Sequence, residues 1–195
     1  MFPTLYKHSD AHEDSIFAVR FTSENQIVTG SVDETVKAWD VQKALSGDSE
    51  ILVSETPEFG LGVVQLAASS QSSLVAAHSM DSAIRLFHPE QGIRDTLETG
   101  PIETWGVSMS ADGQFIASGG ITGVITIWST DPEHSKKTLE SRQDFVLCTA
   151  FSPDGSYLAC GQRNGTVAMF DLATNSLVFE ARDHTDPVRT ISFSP

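Results

Sequence analysis

A chain that reiterates one short unit is restricted to folds that stack or close such units. This chain does so. The stretch FSPDGSYLACGQRNGTVAMFD, residues 151–171, has counterparts throughout, each a set of strand-like runs ending on an aromatic residue. Those aromatics, Trp39, Phe87, Trp128 and Phe170, recur at intervals of roughly 40 to 50 residues, the length of one supersecondary unit.

Each unit is written as short alternating or apolar runs divided by turn residues, the pattern of an antiparallel meander, and helical periodicity is absent throughout. The first unit offers runs from Phe17 to Phe21, Ile27 to Thr29, Thr35 to Trp39 and Ile51 to Ser54. The second offers three, Val63 to Leu66, Leu74 to Ala77 and Ala83 to Phe87. The third runs Thr104 to Met109, Phe115 to Ser118, Val124 to Trp128 and Lys137 to Glu140. The fourth runs Phe145 to Phe151, Tyr157 to Cys160, Thr166 to Phe170 and Leu177 to Glu180. In Ser152-Pro153-Asp154-Gly155 the proline presets φ and the glycine accepts the left-handed region, and Asn164-Gly165 is a tight-hairpin signal. It also accounts for Asn164 better than glycosylation does, because no secretory signal precedes it. In the opening strands the apolar positions step by three and then by two (Ile16, Val19, Phe21; Val188, Ile191, Phe193), the irregularity that a β-bulge produces.

Four strands per unit is the arithmetic of a β-propeller blade, so the fold class is all-β, a propeller of four-stranded antiparallel blades. The expected domain boundaries are an N-terminal segment at 1–11, blades at 12–55, 59–98, 100–140 and 142–181, and the first strand of a fifth blade at 184–195. Four blades and one strand form an incomplete ring, and the break inside the fifth unit reads as truncation, leaving an apolar blade face uncovered.

Composition narrows the function. Hydrophobic residues make up 39% and charged residues 19%, a globular balance. A formal charge of −14 lacks the clustered Lys/Arg surface that phosphate backbones require, so direct nucleic-acid binding is not expected. No apolar run approaches the roughly 18 residues of a membrane span, no signal peptide opens the chain, and Cys148 and Cys160 form no CxxC. The expected compartment is nucleus and cytoplasm, with no secretion, membrane contact, cofactor, metal or small-molecule substrate.

The sequence resembles the WD-repeat family, whose blades open after Gly-His and end in Trp-Asp. Trp39-Asp40 matches outright, Phe170-Asp171 conservatively, Trp128-Ser129 in its Trp alone and Phe87-His88 in neither residue. The family's buried tetrad joins a His, a strand Ser/Thr, a turn Asp and the Trp. The resemblance implies a full set in the first blade alone: His12, then Thr29 or Ser31, then Asp33 and Trp39. The later histidine positions hold Phe59, Gly100, Arg142 and His184, the blade-turn positions Asp81, Thr122 and Asn164, and the strand positions Ala77, Ser118 and Cys160. Those blades are expected to rely on apolar packing, since a partly satisfied buried network costs more than none.

More narrowly, AHEDSIFAVRF, VTGSVDETVKAWD, LGVVQLA with DSAIRLF, GPIETWGVSMSADGQFIASGG, FVLCTAFSPDGSYLACG and PVRTISFSP are similar to a WD-repeat subunit family. It is shared by the superkiller (SKI) complex of exosome-linked 3'-5' mRNA decay and the polymerase-associated-factor (PAF) complex of transcription elongation and histone modification. That likeness implies a seven-bladed ring of roughly 300 residues. It also implies that Leu5-Tyr6-Lys7 supply the outer strand of the last blade, and a scaffold that holds a tetratricopeptide-type subunit. The implied partner face is the rim where first strands begin: Asp14, Ser15, Phe17, Leu61, Glu103, Trp105, Asp144 and Phe145. For Trp105, core packing and an exposed hot spot are equally open.

Chemistry is the weaker reading. His12, Ser31 and Asp33 supply the residue types of a hydrolase triad, yet no G-x-S-x-G elbow or phosphate-cradling loop accompanies them, and the tetrad explains them better. His8 and His12 converge on a metal only if helical, and Asp131 with Glu133 reads as a solvated turn. Three classes therefore stand: scaffold, adaptor of another assembly such as a ubiquitin ligase, and, remotely, a propeller enzyme.

Overall fold

The computed structural model describes residues 7–56, 59–99, 104–131, 133, 135–141 and 144–194. Leu5, Tyr6, Gly100, Glu103, Arg142 and Pro195 lie outside them. The chain is all-β: four four-stranded antiparallel sheets, each a meander of consecutive strands of propeller-blade type. It divides into two compact units, Met1–Ala68 with Ser73–Leu97, and Ser69–Ser72 with Glu98–Pro195.

In the first unit, one sheet is β1 (Ile16–Phe21), β2 (Gln26–Ser31), β3 (Val36–Asp40) and β4 (Leu52–Thr56). The other is β5 (Val63–Ala68), β6 (Val75–Ser79), β7 (Ala83–His88) and β8 (Gly92–Glu98). Alternation sends Ala18, Val28, Val36 and Ala38 of one sheet against Val63, Leu66, Val75, Ala77 and Phe87 of the other, with Phe59 of the segment before β5 in the same cluster. The larger of these side chains each contribute roughly 1.5 to 3 kcal/mol by leaving water. Strand β8 was missing from the three runs expected here. Its apolar Ile93 and Leu97 are interleaved with Arg94, Asp95 and Glu98, too polar a mixture to mark a strand without its neighbour β7.

In the second unit the sheets are β9 (Gly106–Met109), β10 (Phe115–Gly119), β11 (Val124–Ser129), β12 (Lys136–Glu140), and β13 (Val146–Phe151), β14 (Tyr157–Gln162), β15 (Val167–Asp171), β16 (Ser176–Ala181). Ala117, Ile125, Ile127 and Leu139 of one pack on Val146, Leu158, Cys160, Ala168 and Phe170 of the other. At the turn between β14 and β15, Gly165 sits at φ +86° and the Asn164 side chain accepts the Thr166 N–H at 3.0 Å. The equivalent left-handed corners in the first unit are taken by non-glycine residues, Glu34 (φ 68°) and Ser82 (φ 64°).

Register shifts mark bulges in β1 between Ile16 and Ala18, in β5 between Val63 and Gln65 and in β13 between Val146 and Cys148. Strand β9 differs: its ladder with β10 runs unbroken from Gly106 to Met109.

Two expectations need correction. Helicity is not absent: α1 (Val41–Ser46) lies between β3 and β4. Six residues are too few for a 3.6-residue period to show, but its ends were legible. Asp40 caps the start by accepting the Lys43 N–H at 2.9 Å, and Gly47 closes it in the left-handed region at φ +80°. The second concerns 184–195, expected as the first strand of a fifth blade, whose described residues 184–194 carry no strand ladder. A strand is defined by its paired neighbour, and among the described residues none pairs with this segment as a strand. It is held instead by the Val188 N–H donating to the Gln162 carbonyl at 3.0 Å.

Candidate functional site

The first sheet closes a continuous hydrogen-bond chain over its two central strands, β2 and β3. In the β2–β3 register Ile27 faces Trp39 and Thr29 faces Lys37. Thr29 thereby stands two residues along from the Trp and meets its indole: Trp39 Nε1 donates to Thr29 Oγ1 at 2.8 Å. Thr29 Oγ1 lies 2.7 Å from His12 Nε2, and His12 Nδ1 lies 2.9 Å from Asp33 Oδ2. Satisfying every group assigns the proton to Nδ1, so that Nδ1–H donates to the carboxylate and Nε2 accepts the threonine hydroxyl. The His12 and Asp33 side chains are 1% and 6% exposed, so these bonds are largely shielded from bulk water.

Of the two serine/threonine alternatives, the structure brings Thr29 to His12. Ser31 has other work: its hydroxyl donates to the Asp14 carbonyl at 3.2 Å and accepts the Asp33 N–H at 3.1 Å. A fifth member, Thr35, went unanticipated. Its hydroxyl donates to Asp33 Oδ1 at 2.7 Å, and its N–H donates to the same oxygen at 3.0 Å. The spacing Asp33-x-Thr35 is a local turn-capping signature, which was the available signal. Burial by itself would raise the Asp33 carboxyl, but hydrogen bonds from the Thr35 hydroxyl, the Glu13 N–H, the His12 ring and the Thr35 N–H override it and hold it near 2.

The other sheets keep the turn acid or its analogue but change its partners. In the second, Phe59 stands in the histidine's place, buried, with the Arg85 guanidinium 5.0 Å above its ring. Arg85 Nη2 pairs with Asp81 at 2.7 Å and Nη1 donates to Ser79 Oγ at 3.0 Å, while Asp81 Oδ1 accepts the Ala83 N–H at 3.1 Å and the Ser79 hydroxyl. Reliance on apolar packing is therefore overturned here. An arginine stacked on the phenylalanine donates to the turn aspartate, as the His12 Nδ1–H does in the first sheet. Burial alone would raise the Asp81 carboxyl, and Arg85, Ser79 and the Ala83 N–H together lower it. Asn164 caps its turn, Thr122 is exposed, and buried Cys160 has its thiol pushed up to about 12 by desolvation.

The rim residues fall into one group in each unit. In the first, Asp14 and Ser15 are exposed, Phe17 is 58% exposed and Leu61 48%. The Val32 N–H donates to the Ser15 carbonyl at 3.1 Å, anchoring this corner. In the second, Trp105 is 57% exposed and leans edge-on against Phe145, ring centres 5.8 Å apart at 77°. Trp105 is therefore not packed in the core. The Asp144 carboxylate accepts the Phe145 N–H at 2.8 Å and pairs with Arg163 at 3.2 Å, a residue that sequence reasoning passed over.

Catalytic and metal geometries are not assembled among the described residues. The Ser31 hydroxyl does not reach the imidazole, both nitrogens of which are engaged by Thr29, Asp33 and Thr35. Among the described residues no three His, Cys, Asp or Glu side chains converge as a metal site, and no helix is long and apolar enough to cross a membrane.

A family model described as WD domain, G-beta repeat matches residues 4–40, 96–129 and 133–171. Among curated proteins, the WD repeat-containing protein VIP3 of Arabidopsis thaliana is 34% identical over 95% of this chain and 62% of its own length. The WD repeat-containing protein SL1-17 of Schistosoma mansoni is 31% identical over 100% of the chain and 65% of its length. The meiotic recombination protein rec14 of Schizosaccharomyces pombe is 30% identical over 95% and 61%. The chain thus spans somewhat under two thirds of the length of these relatives.

Proposed function

Because the chain belongs to the WD domain, G-beta repeat family, we propose that it is a non-enzymatic scaffold whose rim docks a tetratricopeptide-type subunit of a multiprotein complex. Rigid sheets present loops at low entropic cost, which suits docking better than turnover. The single observation that carries this reading is Trp105. A tryptophan more than half exposed, fixed edge-on by Phe145 beside a charged Asp144–Arg163 pair, is an aromatic anchor already ordered before a partner arrives.

The assembly we assign is the superkiller complex of mRNA decay, the polymerase-associated-factor complex of transcription elongation, or both, with residence in nucleus and cytoplasm. Support comes from the stretches AHEDSIFAVRF and FVLCTAFSPDGSYLACG and from the end-to-end likeness to the relatives above. The remaining proposed contact residues are Asp14, Ser15, Phe17 and Leu61 in the first unit and Glu103, Asp144 and Phe145 in the second. The test is affinity purification with mass spectrometry on the parent and on Trp105→Ala. The parent recovers a tetratricopeptide subunit, and the variant loses it with Tm unchanged. Recovery of ubiquitin-ligase subunits without that partner would overturn the assignment in favour of an adaptor.

A further inference from the structure

In the first sheet the space among Trp39, Thr29 and Asp33 is filled by the His12 imidazole. The third sheet has the same frame. Ile116 faces Trp128 and Ser118 faces Thr126, so Ser118 stands to Trp128 as Thr29 stands to Trp39. Thr122 occupies the turn position of Asp33. These three residues line one cavity of about 20 Å³, together with Thr99, Thr104, Val124 and Thr126.

The cavity is polar where a core void would be apolar, with five hydroxyl-bearing residues and an indole on its walls. Ser118, 3% exposed, is smaller than its counterpart Thr29 by a methyl group, and Thr122 is shorter than an aspartate whose carboxylate would need a counter-charge. Thr104, 9% exposed, has a hydroxyl oxygen sealed from solvent without a hydrogen-bond partner. A buried hydroxyl without a partner is expensive, and a void able to hold roughly 10 to 15 Å³ of a water-sized probe, with two to four polar neighbours, takes up a water molecule. An imidazole, an amide or any organic ligand exceeds the volume.

We propose that the third sheet binds one water molecule in this cavity, bridging Thr104 and Ser118, where the first sheet uses an imidazole. The water is a structural ligand that lets the blade keep its Trp without a His or an Asp. This inference is independent of the docking role.

The variant Thr104→Val distinguishes a wet cavity from a dry one by sign. It keeps the β-branched shape and deletes the hydroxyl. With a bridging water in place, the water loses a partner and Tm falls by about 2 to 6 °C. In a dry cavity the same change removes an orphaned polar group, and Tm is unchanged or rises, which would overturn the proposal. A high-resolution crystal structure gives a second readout: an ordered water within hydrogen-bond distance of both Thr104 Oγ1 and Ser118 Oγ is expected, and an empty cavity would refute it.

Discussion

Replacing Thr29 with valine is the sharpest perturbation of the first sheet. The two side chains have nearly the same shape, so the change deletes one hydroxyl and leaves packing in place. Thr29 Oγ1 accepts from Trp39 Nε1 at 2.8 Å and serves His12 Nε2 at 2.7 Å, and Thr29 is only 7% exposed. Both partners become buried orphans, each costing about 1 to 3 kcal/mol, against a gain of about 0.8 kcal/mol for the added methyl. The net expectation is a loss of about 2 to 4 kcal/mol in urea unfolding followed by tryptophan fluorescence. Thr29→Ser, which keeps the hydroxyl, loses about 1 kcal/mol. Trp39→Phe removes the indole N–H, so the pair Thr29→Val and Trp39→Phe couples by about 1 to 2 kcal/mol in a double-mutant cycle. A valine variant within about 0.5 kcal/mol of the parent, or a cycle without coupling, would refute the claim that this chain of hydrogen bonds holds the sheet.

The Asp33 carboxyl is lowered from an ordinary 3.8 to about 2 in the fold, so its stabilisation is complete above the unfolded value and is lost as pH falls through the folded one. Screening by nearby solvent brings the contribution to about 1 to 2 kcal/mol, and Asp33→Asn should flatten the acid limb of stability between about pH 5 and pH 2. Parallel limbs in parent and variant would contradict this. At Gly106 an added Cβ would sit 2.8 Å from the Leu147 carbonyl oxygen and 3.0 Å from Cys148 Cα. Backbone has nowhere to retreat, so Gly106→Ala lowers stability by about 1 to 3 kcal/mol in thermal unfolding, and an unchanged Tm would show that the two strands approach less closely.

What the sequence determined by itself is whatever its own neighbours enforce. Period-two alternation, Pro-Asp-Gly and Asn-Gly turns and the step from Ile16 to Val19 are local, so the bulge in β1 and every strand except β8 could be read before any coordinate. The place of His12, Asp33 and Trp39 in one network was legible only through the resemblance to WD repeats, which implies that set for the first sheet. Only tertiary structure decided what depends on chain segments far apart in sequence. Thr29 and Ser31 share a strand face, and the cross-strand register with Trp39 selects Thr29. Arg85 serves Asp81 because Phe59, from another segment, offers its ring to the guanidinium. Trp105 stands more than half exposed with Phe145 edge-on against it, a fact of surroundings and not of spacing. Local dihedral preference writes the strands, whereas burial and partner choice are settled by which surfaces meet when the sheets pack.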